Sequence, residues 1–385
     1  MTVPHRIAFI IDALVLGGAQ RSLVALANAL AHRGAEVHLI TFEAPAPLPP
    51  QLRLAPAIQR HALGTHPRES ARLLTPLMLL RTHRALRRTI HNLAPTCVVS
   101  FLDEVNLMTL LALPRERTTL RVIVSERSFP GVSFKKRYDP LGLLPFVGRA
   151  ARRYLYPRAD SVITLTERGA EFLRSEGLTN VAVIPNPVPP PPPVEHRTEP
   201  EQVIVALGRL APEKRFDRLI EAFAVVAPHF PAWRVRIYGE GPLRDVLTRH
   251  IERRQLTDRV TLCGASAAPH EVLARRPVFA LTSDVEGFPV ALTEAMASGC
   301  AVVATDCPTG PGELISHGED GLLVRSRDPL VFAEALSAIM SSAALRRRLG
   351  ESAQRITDRF PTDMIFDRWW VEVSAPPLKR ECSIQ

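Results

Sequence analysis

Two glutamates, Glu286 and Glu294, stand eight residues apart in the stretch S-D-V-E-G-F-P-V-A-L-T-E-A-M-A-S-G, residues 283–299. An apolar strand, Val278 to Thr282, empties into a turn carrying Glu286 and Gly287. Pro289 sits where helices begin, and Gly299 sits where they stop. A helix start offers unpaired N–H groups and a positive dipole to an anion, while two carboxylates can accept hydrogen bonds from hydroxyl groups. The stretch therefore suits a phosphorylated sugar. Eight residues of helical rise span about 12 Å.

Three further groups follow strands in the same half of the chain. In G-R-L-A-P-E-K-R-F-D, Gly208 lets backbone approach a ligand, while Arg209 and Lys214 supply positive charge for a diphosphate. The chain has 44 Arg and only four Lys, so the compact ammonium of Lys214 is an uncommon choice here. Gly239-Glu240-Gly241-Pro242 alone is only a turn signal. Asp306 to Ile315, D-C-P-T-G-P-G-E-L-I, adds glycines before another helix start.

These groups need a scaffold, and the alternation of short apolar strands with helical stretches predicts one. In the first half the strands are Arg6 to Ile11, Glu36 to Thr41, Cys97 to Phe101, Arg121 to Ser125, Ser161 to Leu165 and Val181 to Ile184. Gly17 and Gly18 open a helix directly after the first strand, where doubly wound folds approach ligands; no G-x-G-x-x-G is present, so a dinucleotide is not implied. The second half restarts the pattern with Gln202 to Leu207, Trp233 to Tyr238, Arg259 to Cys263, Val278 to Thr282 and Cys300 to Thr305. Such βαβ order predicts parallel sheets. The proline run after Asn186 cannot pair in a sheet and reads as a semi-rigid linker. The expected domains are an N-terminal, acceptor-binding Rossmann-like layer over residues 1–188, a linker over 189–200, a C-terminal donor-binding Rossmann-like layer over 201–365, and a terminal segment and tail over 366–385. Trp369 and Trp370 are expected to pack back on the body, and the residues from Ser374 to form a disordered tail.

Apolar content of 46% and charged content of 23% are ordinary for a soluble globular chain. Five cysteines without metal-ligand spacing suggest a reduced, cytoplasmic setting. No apolar run long enough to span a bilayer is present, and Asp12 interrupts the only N-terminal stretch that could pass for a signal peptide. Residues 1–190 hold 24 Lys and Arg against 13 Asp and Glu, whereas the remainder holds 24 against 26. The basic first half suits an anionic partner, either a phospholipid surface or a diphosphate-bearing acceptor. Its basic segments Arg68 to Asn92 and Phe134 to Arg158 are candidates for lying on a membrane, ordinary surface helices being the plainer alternative. No nucleic-acid motif is legible, so nucleic acid is not an expected partner.

Taken together, G-R-L-x-x-E-K, G-x-G-P and E-G-F-P-x-x-x-x-E-A-M-A-S-G resemble the donor-binding motifs of the retaining glycosyltransferases of family 4, which have the GT-B fold. G-G-A-Q-R-S-L, S-F-L, V-S-E-R-S-F-P and G-E-D-G-L-L-V extend the resemblance over most of the chain, toward its bacterial exopolysaccharide and lipid-linked-glycan branch. The resemblance implies two Rossmann-like domains facing a central cleft, and transfer of a hexose from a nucleotide sugar, UDP-linked by expectation, to a glycan or lipid-diphosphate acceptor. Cysteine usage and the basic first half together make the expected setting the cytoplasm, peripheral on the inner face of the plasma membrane. By the same resemblance Arg209 and Lys214 hold the diphosphate, Glu294 the ribose and Glu286 the donor sugar, with backbone N–H groups of Gly287 and Phe288 nearby; Pro289 donates nothing. Gly208, Gly239 and Gly241 line the donor, and Gly17 and Gly18 the first domain's side of the site.

Many members place a histidine after the fourth strand of the first domain. Here that turn reads Ser125-Glu126-Arg127, so Glu126 and Arg127 are assigned to the cleft, a structural ion pair being the alternative. No cofactor and no metal are expected: Asp284-Val285-Glu286 is not a D-x-D, and an Arg/Lys clamp neutralises the leaving diphosphate. A catalytically silent GT-B module that binds a nucleotide sugar or acts as a scaffold is the competing expectation. A hydrolase built on the two glutamates and a sugar phosphorylase are further alternatives.

Overall fold

The protein is described by a computed structural model covering residues 5–15, 17–49, 51–66, 76–115, 117–132, 144–193, 202–266 and 268–378. The chain divides into two compact units, one formed by Met1–Pro185 with Asp363–Gln385 and the other by Asn186–Thr362. Part of the proline run (194–200), the first part of each basic segment (68–75 and 134–143) and the last seven residues lie outside the described residues.

The first unit holds strands β1 (Arg6–Ile11), β2 (Glu36–Glu43), β3 (Gln59–His66), β4 (Cys97–Phe101), β5 (Arg121–Ser125), β6 (Ser161–Thr164) and β7 (Val181–Val183). They form one parallel sheet in the order β3-β2-β1-β4-β5-β6-β7. Successive side chains of a strand point to opposite faces, and both faces are covered here. Ile7, Phe9 and Ile11 enter a core with Leu23, Leu26 and Leu30. Ala8 and Ile10 enter another with Leu86, Ile90 and Leu173 on the opposite face. This two-sided burial is why the strands read as continuous apolar runs.

β3 breaks that rule and was not expected from the sequence. Its residues, Q-R-H-A-L-G-T-H, are mostly polar, and it pairs on one side only, as the sheet edge. The helix Thr362–Ser374 belongs to this unit as well. Ile365, Trp369 and Val373 enter its core, and the Trp369 ring stacks on Phe101 at 6.2 Å and 17°. The expectation that this segment packs back is met. The expected tail, by contrast, stays attached through at least Leu378: Arg121 donates to the Pro376 carbonyl at 2.9 Å, and Leu378 N–H donates to Asp160 at 2.9 Å. Buried groups of the first unit supply partners that the composition of the tail does not reveal.

The second unit holds β8 (Val203–Leu207), β9 (Arg234–Tyr238), β10 (Val260–Gly264), β11 (Val278–Leu281), β12 (Val302–Thr305) and β13 (Leu322–Val324). These are again parallel, in the order β10-β9-β8-β11-β12-β13. Ile204, Ala206, Val235 and Ile237 pack under the helices Phe216–Val226 and Pro329–Ser341 through Leu219, Phe223, Phe332 and Leu336. Both units are thus doubly wound parallel α/β layers, as the strand and helix alternation predicts. In each, the strand order reverses beside the first strand, at β1/β4 and β8/β11, and ligands of such sheets bind outside the carboxyl ends at that reversal. Among the described residues, no single helix is long and apolar enough to cross a membrane.

Candidate functional site

The four groups singled out in the second unit leave the carboxyl ends of four adjacent strands: Gly239–Pro242 after β9, Gly208–Arg215 after β8, Thr282–Pro289 after β11, and Asp306–Gly310 after β12. β8 and β11 are neighbours at the reversal, although about 75 residues separate them in sequence. Adjacency at the sheet, not proximity in the chain, brings Lys214 to Glu286.

The Lys214 ammonium donates to Glu286 Oε1 at 2.6 Å. The same oxygen accepts from Ser283 Oγ at 2.6 Å, and the Glu286 carbonyl accepts from the Thr309 hydroxyl. Glu286 is 9% exposed; burial of a carboxylate at this depth requires such partners. Arg209, on the same loop as Lys214, is exposed at its tip and pairs with Glu213 at 2.6 Å. Burial alone would raise the Glu213 carboxyl, but its own backbone N–H and the Arg209 guanidinium bring it below the usual carboxylate range.

The helix expected to begin near Pro289 and to stop at Gly299 is present. It runs from Val290 to Ala297, with Pro289 at its N-cap and no side-chain cap. Glu286 lies in the turn ahead of it, so only Glu294 is helical. Gly299 follows the end with φ +79°, the left-handed stop that glycine permits. Phe288 is buried, its ring edge-on to Phe360 at 5.3 Å. The loop after β12 packs directly on this turn: a side chain at Gly310 would place its Cβ 2.7 Å from Pro289 Cδ.

Gly239 and Gly241 are constrained in the same way. A Cβ on Gly239 would lie 1.8 Å from the Gly208 carbonyl oxygen, and one on Gly241 2.5 Å from that of Leu210. The loops after β9 and β8 therefore touch backbone to backbone, fastened by Leu210 N–H to the Glu240 carbonyl at 2.9 Å. Gly208 itself meets only ordinary contacts, at 3.5 Å and beyond. The close approach is the neighbouring loop on Gly208, and the glycine requirement lies at Gly239.

In the first unit, Gly17 caps the helix Gly18–His32, and Glu126 and Arg127 follow β5. These positions leave β1 and β5, which flank β4. Glu126 is 1% exposed and accepts from the Tyr156 hydroxyl, which also receives Asn106 Nδ2 at 3.3 Å. Burial, and then the neighbouring Asp103 carboxyl, push Glu126 well above the usual carboxylate range. Glu126 is thus part of an inward network. Arg127 is only half-buried, its guanidinium 4.8 Å from the centroid of the Phe101 ring. The two do not form the ion pair that the sequence left open as an alternative: the partners of Glu126 are Tyr156 and Asp103.

Comparison with known proteins bears on what this arrangement is. The family model "Glycosyltransferase Family 4" matches residues 16–190, and "Glycosyl transferases group 1" matches residues 192–356. The chain thus carries a Glycosyltransferase Family 4 domain in its first half and a Glycosyl transferases group 1 domain in its second. As expected of this family, the fold is GT-B. The Staphylococcus aureus TarM structure, a G117R mutant in complex with Fondaparinux, alpha-GlcNAc-glycerol and UDP, superposes with a TM-score of 0.79 at 14% identity, over 96% of this chain and 100% of that one.

Among curated relatives of this chain, an exopolysaccharide phosphotransferase of Streptomyces coelicolor is 40% identical over 55% of the chain. A second, the N-acetylgalactosamine-N,N'-diacetylbacillosaminyl-diphospho-undecaprenol 4-alpha-N-acetylgalactosaminyltransferase of Campylobacter jejuni, is 27% identical over 91% of the chain and 94% of its own length. The chain spans only 23% of the Streptomyces relative, and 48% and 64% of two others.

Several residues of the site are not marked out by the sequence. Ser283 and Thr309 are ordinary residues whose importance comes from reaching Glu286. Asp284 enters the sequence analysis only as part of a stretch that is not a D-x-D, and Arg218 does not enter it at all.

Proposed function

We propose that this chain is a retaining glycosyltransferase that moves a hexose from a UDP-sugar to a glycan or lipid-linked acceptor in cell-surface polysaccharide synthesis. The observation that carries the reading is the Lys214–Glu286 pair at the β8/β11 reversal, with Arg209 on the same loop. Each member of the pair is the other's hydrogen-bond partner, at 2.6 Å. An arriving donor offers a replacement for both: diphosphate oxygens for the ammonium, and sugar hydroxyls for the carboxylate. Glu294, one turn into the helix, takes the ribose hydroxyls, and the backbone of Gly287 and Phe288 borders the sugar. The nucleotide named in the TarM complex, UDP, and the undecaprenol-linked acceptor in the Campylobacter relative's name support these substrate classes.

In this reading the glycosidic C–O bond breaks as the diphosphate leaves with its electron pair, stabilised by Arg209 and Lys214. The acceptor oxygen bonds to the anomeric carbon from the same face, and its proton passes to the departing phosphate oxygen. No protein nucleophile and no metal takes part. UDP release from UDP-glucose, UDP-galactose and their N-acetyl analogues, with a lipid-diphosphate acceptor, tests the assignment. Turnover unaffected by EDTA is expected with one of them. A melting temperature raised by UDP or a UDP-sugar, by mass action, without turnover on any acceptor would instead identify a silent binding module.

The proposed setting is the cytoplasmic face of a membrane. On the helix Pro76–Leu93, Arg81, Arg84, Arg87 and Arg88 are exposed, and so are Leu77 and Leu80. The helix Leu144–Leu155 exposes Val147, Arg153 and Tyr154, while its Arg152 is turned inward to Glu176 at 3.3 Å. Exposed apolar groups among arginines suit an interface carrying anionic lipid. Sedimentation with phosphatidylglycerol vesicles is expected to fall steeply as salt rises; binding that is absent, or indifferent to salt, would remove the membrane from the proposal.

A further inference from the structure

Among the described residues, Arg218 is the largest fully buried side chain, at 1% exposure. It lies in the first turn of the helix Phe216–Val226, on the face that carries Phe216, Leu219, Ile220 and Phe223 into the core. Arginine is almost never buried so deeply unless paired. Its fork reaches the loop after β11, Nη1 donating to the Thr282 carbonyl and Nη2 to Asp284 Oδ1, each at 2.7 Å. The other oxygen of Asp284 accepts from Arg215 at 2.9 Å.

These bonds sit on either side of the Lys214–Glu286 pair. Thr282 Oγ1 donates to the Lys214 carbonyl at 3.1 Å, and Asp284 N–H donates to the Glu213 carbonyl at 2.9 Å. Arg215 has φ +49°, a left-handed backbone unusual for a residue with a side chain; its guanidinium is held between Asp217 and Asp284. The loop bearing Lys214 is thus bent at Arg215, and the loop bearing Glu286 is pinned at Thr282 and Asp284. Arg218 ties the second loop to the rigid helix that follows the first. A buried bidentate guanidinium specifies geometry that a monodentate group cannot.

We propose that Arg218, acting through Thr282 and Asp284, is a positioning residue that sets the distance between the Lys214 ammonium and the Glu286 carboxylate. It touches neither the donor nor the reacting atoms. The consequence for catalysis rests on the function proposed above, whereas the positioning itself does not.

The chain's four lysines allow a direct test. Acylation of Lys214 by limiting acetic anhydride is measured by mass spectrometry in the wild type and in Arg218→Gln, with Lys135, Lys136 and Lys379 as internal references. Release of Lys214 from its partner is expected to raise its relative rate severalfold. If Arg218→Gln does not fold, Asp284→Asn takes its place, since the Asp284 side chain is partly exposed at 23%. An unchanged Lys214 rate in a folded variant overturns the proposal.

Turnover then separates this inference from the reading of the site. In a double-mutant cycle, Arg218→Gln is expected to lower kcat about tenfold with KM nearly constant, and to lower it no further in a Lys214→Ala background. Fully additive losses would show that Arg218 acts elsewhere and would overturn the proposal. A Lys214→Ala protein with normal turnover would instead defeat the function proposed for the site, while the acylation result would still stand for the positioning.

Discussion

Lys214→Ala is expected to lower turnover at least about a hundredfold, the range found when a single charge-stabilising donor is removed from a transition state. The ammonium is the compact cation nearest the buried Glu286 carboxylate, at 2.6 Å. In the proposed reaction it exchanges that partner for a phosphate oxygen as negative charge accumulates there. Its contribution should therefore grow along the reaction, so kcat falls more than KM rises. The substitution also leaves a carboxylate at 9% exposure with Ser283 as its remaining side-chain partner. A stability loss of about 1–3 kcal/mol is expected from that alone. Measuring kcat well below the melting temperature, with a thermal melt in parallel, separates the two effects. A folded Lys214→Ala enzyme with near wild-type kcat would exclude the diphosphate role.

Gly239→Ala is expected to be nearly as damaging although it removes no functional group. Gly239 has φ +153°, which strains any residue with a side chain, and an added Cβ would lie 1.8 Å from the Gly208 carbonyl oxygen. That obstacle is backbone and cannot swing aside, so the loop carrying Arg209 must move. Backbone strain of this kind costs about 1–3 kcal/mol, and displacement of about 1 Å at a catalytic group can cost on the order of a hundredfold in rate. UDP affinity by calorimetry and kcat should fall together. Gly208→Ala is the informative control: its Cβ would meet Phe216 and Lys214 side chains at 3.5–3.6 Å, ordinary contact distance, so only a small effect is expected. Equal damage from both substitutions would contradict the packing described.

The contrast between these two glycines shows where sequence reasoning stops. The strands were legible because burial on both faces makes them continuous apolar runs, and the loops were legible because Gly and Pro punctuate them. β3 was not, since an edge strand with one neighbour tolerates Arg60, His61 and Gly64. Within the site, Glu286, Glu294, Arg209 and Lys214 stood out by residue type and spacing. The Lys214–Glu286 contact did not, because it depends on β8 and β11 being neighbours. Glu126 carried the same ambiguity: a carboxylate beside Arg127 looks exposed to substrate until Tyr156, thirty residues away, is found against it. A buried arginine such as Arg218 is the hardest case, since on a helix with Asp217 and Glu221 its charge looks like one more part of a solvated face.

The return of the helix Thr362–Ser374 to the first unit also fixes an order of assembly. Trp369 and Ile365 complete a core whose strands lie within the first 185 residues, yet they leave the ribosome only after the whole second unit has been made. The second unit can close while still tethered to the ribosome, since Asn186–Thr362 is continuous in the chain. The first unit must wait with the Phe101 face of its core uncapped by Trp369. Its apolar surface is therefore exposed to misassembly while the second unit is being made, and a nascent chain stopped short of residue 362 would present the second unit without a finished first.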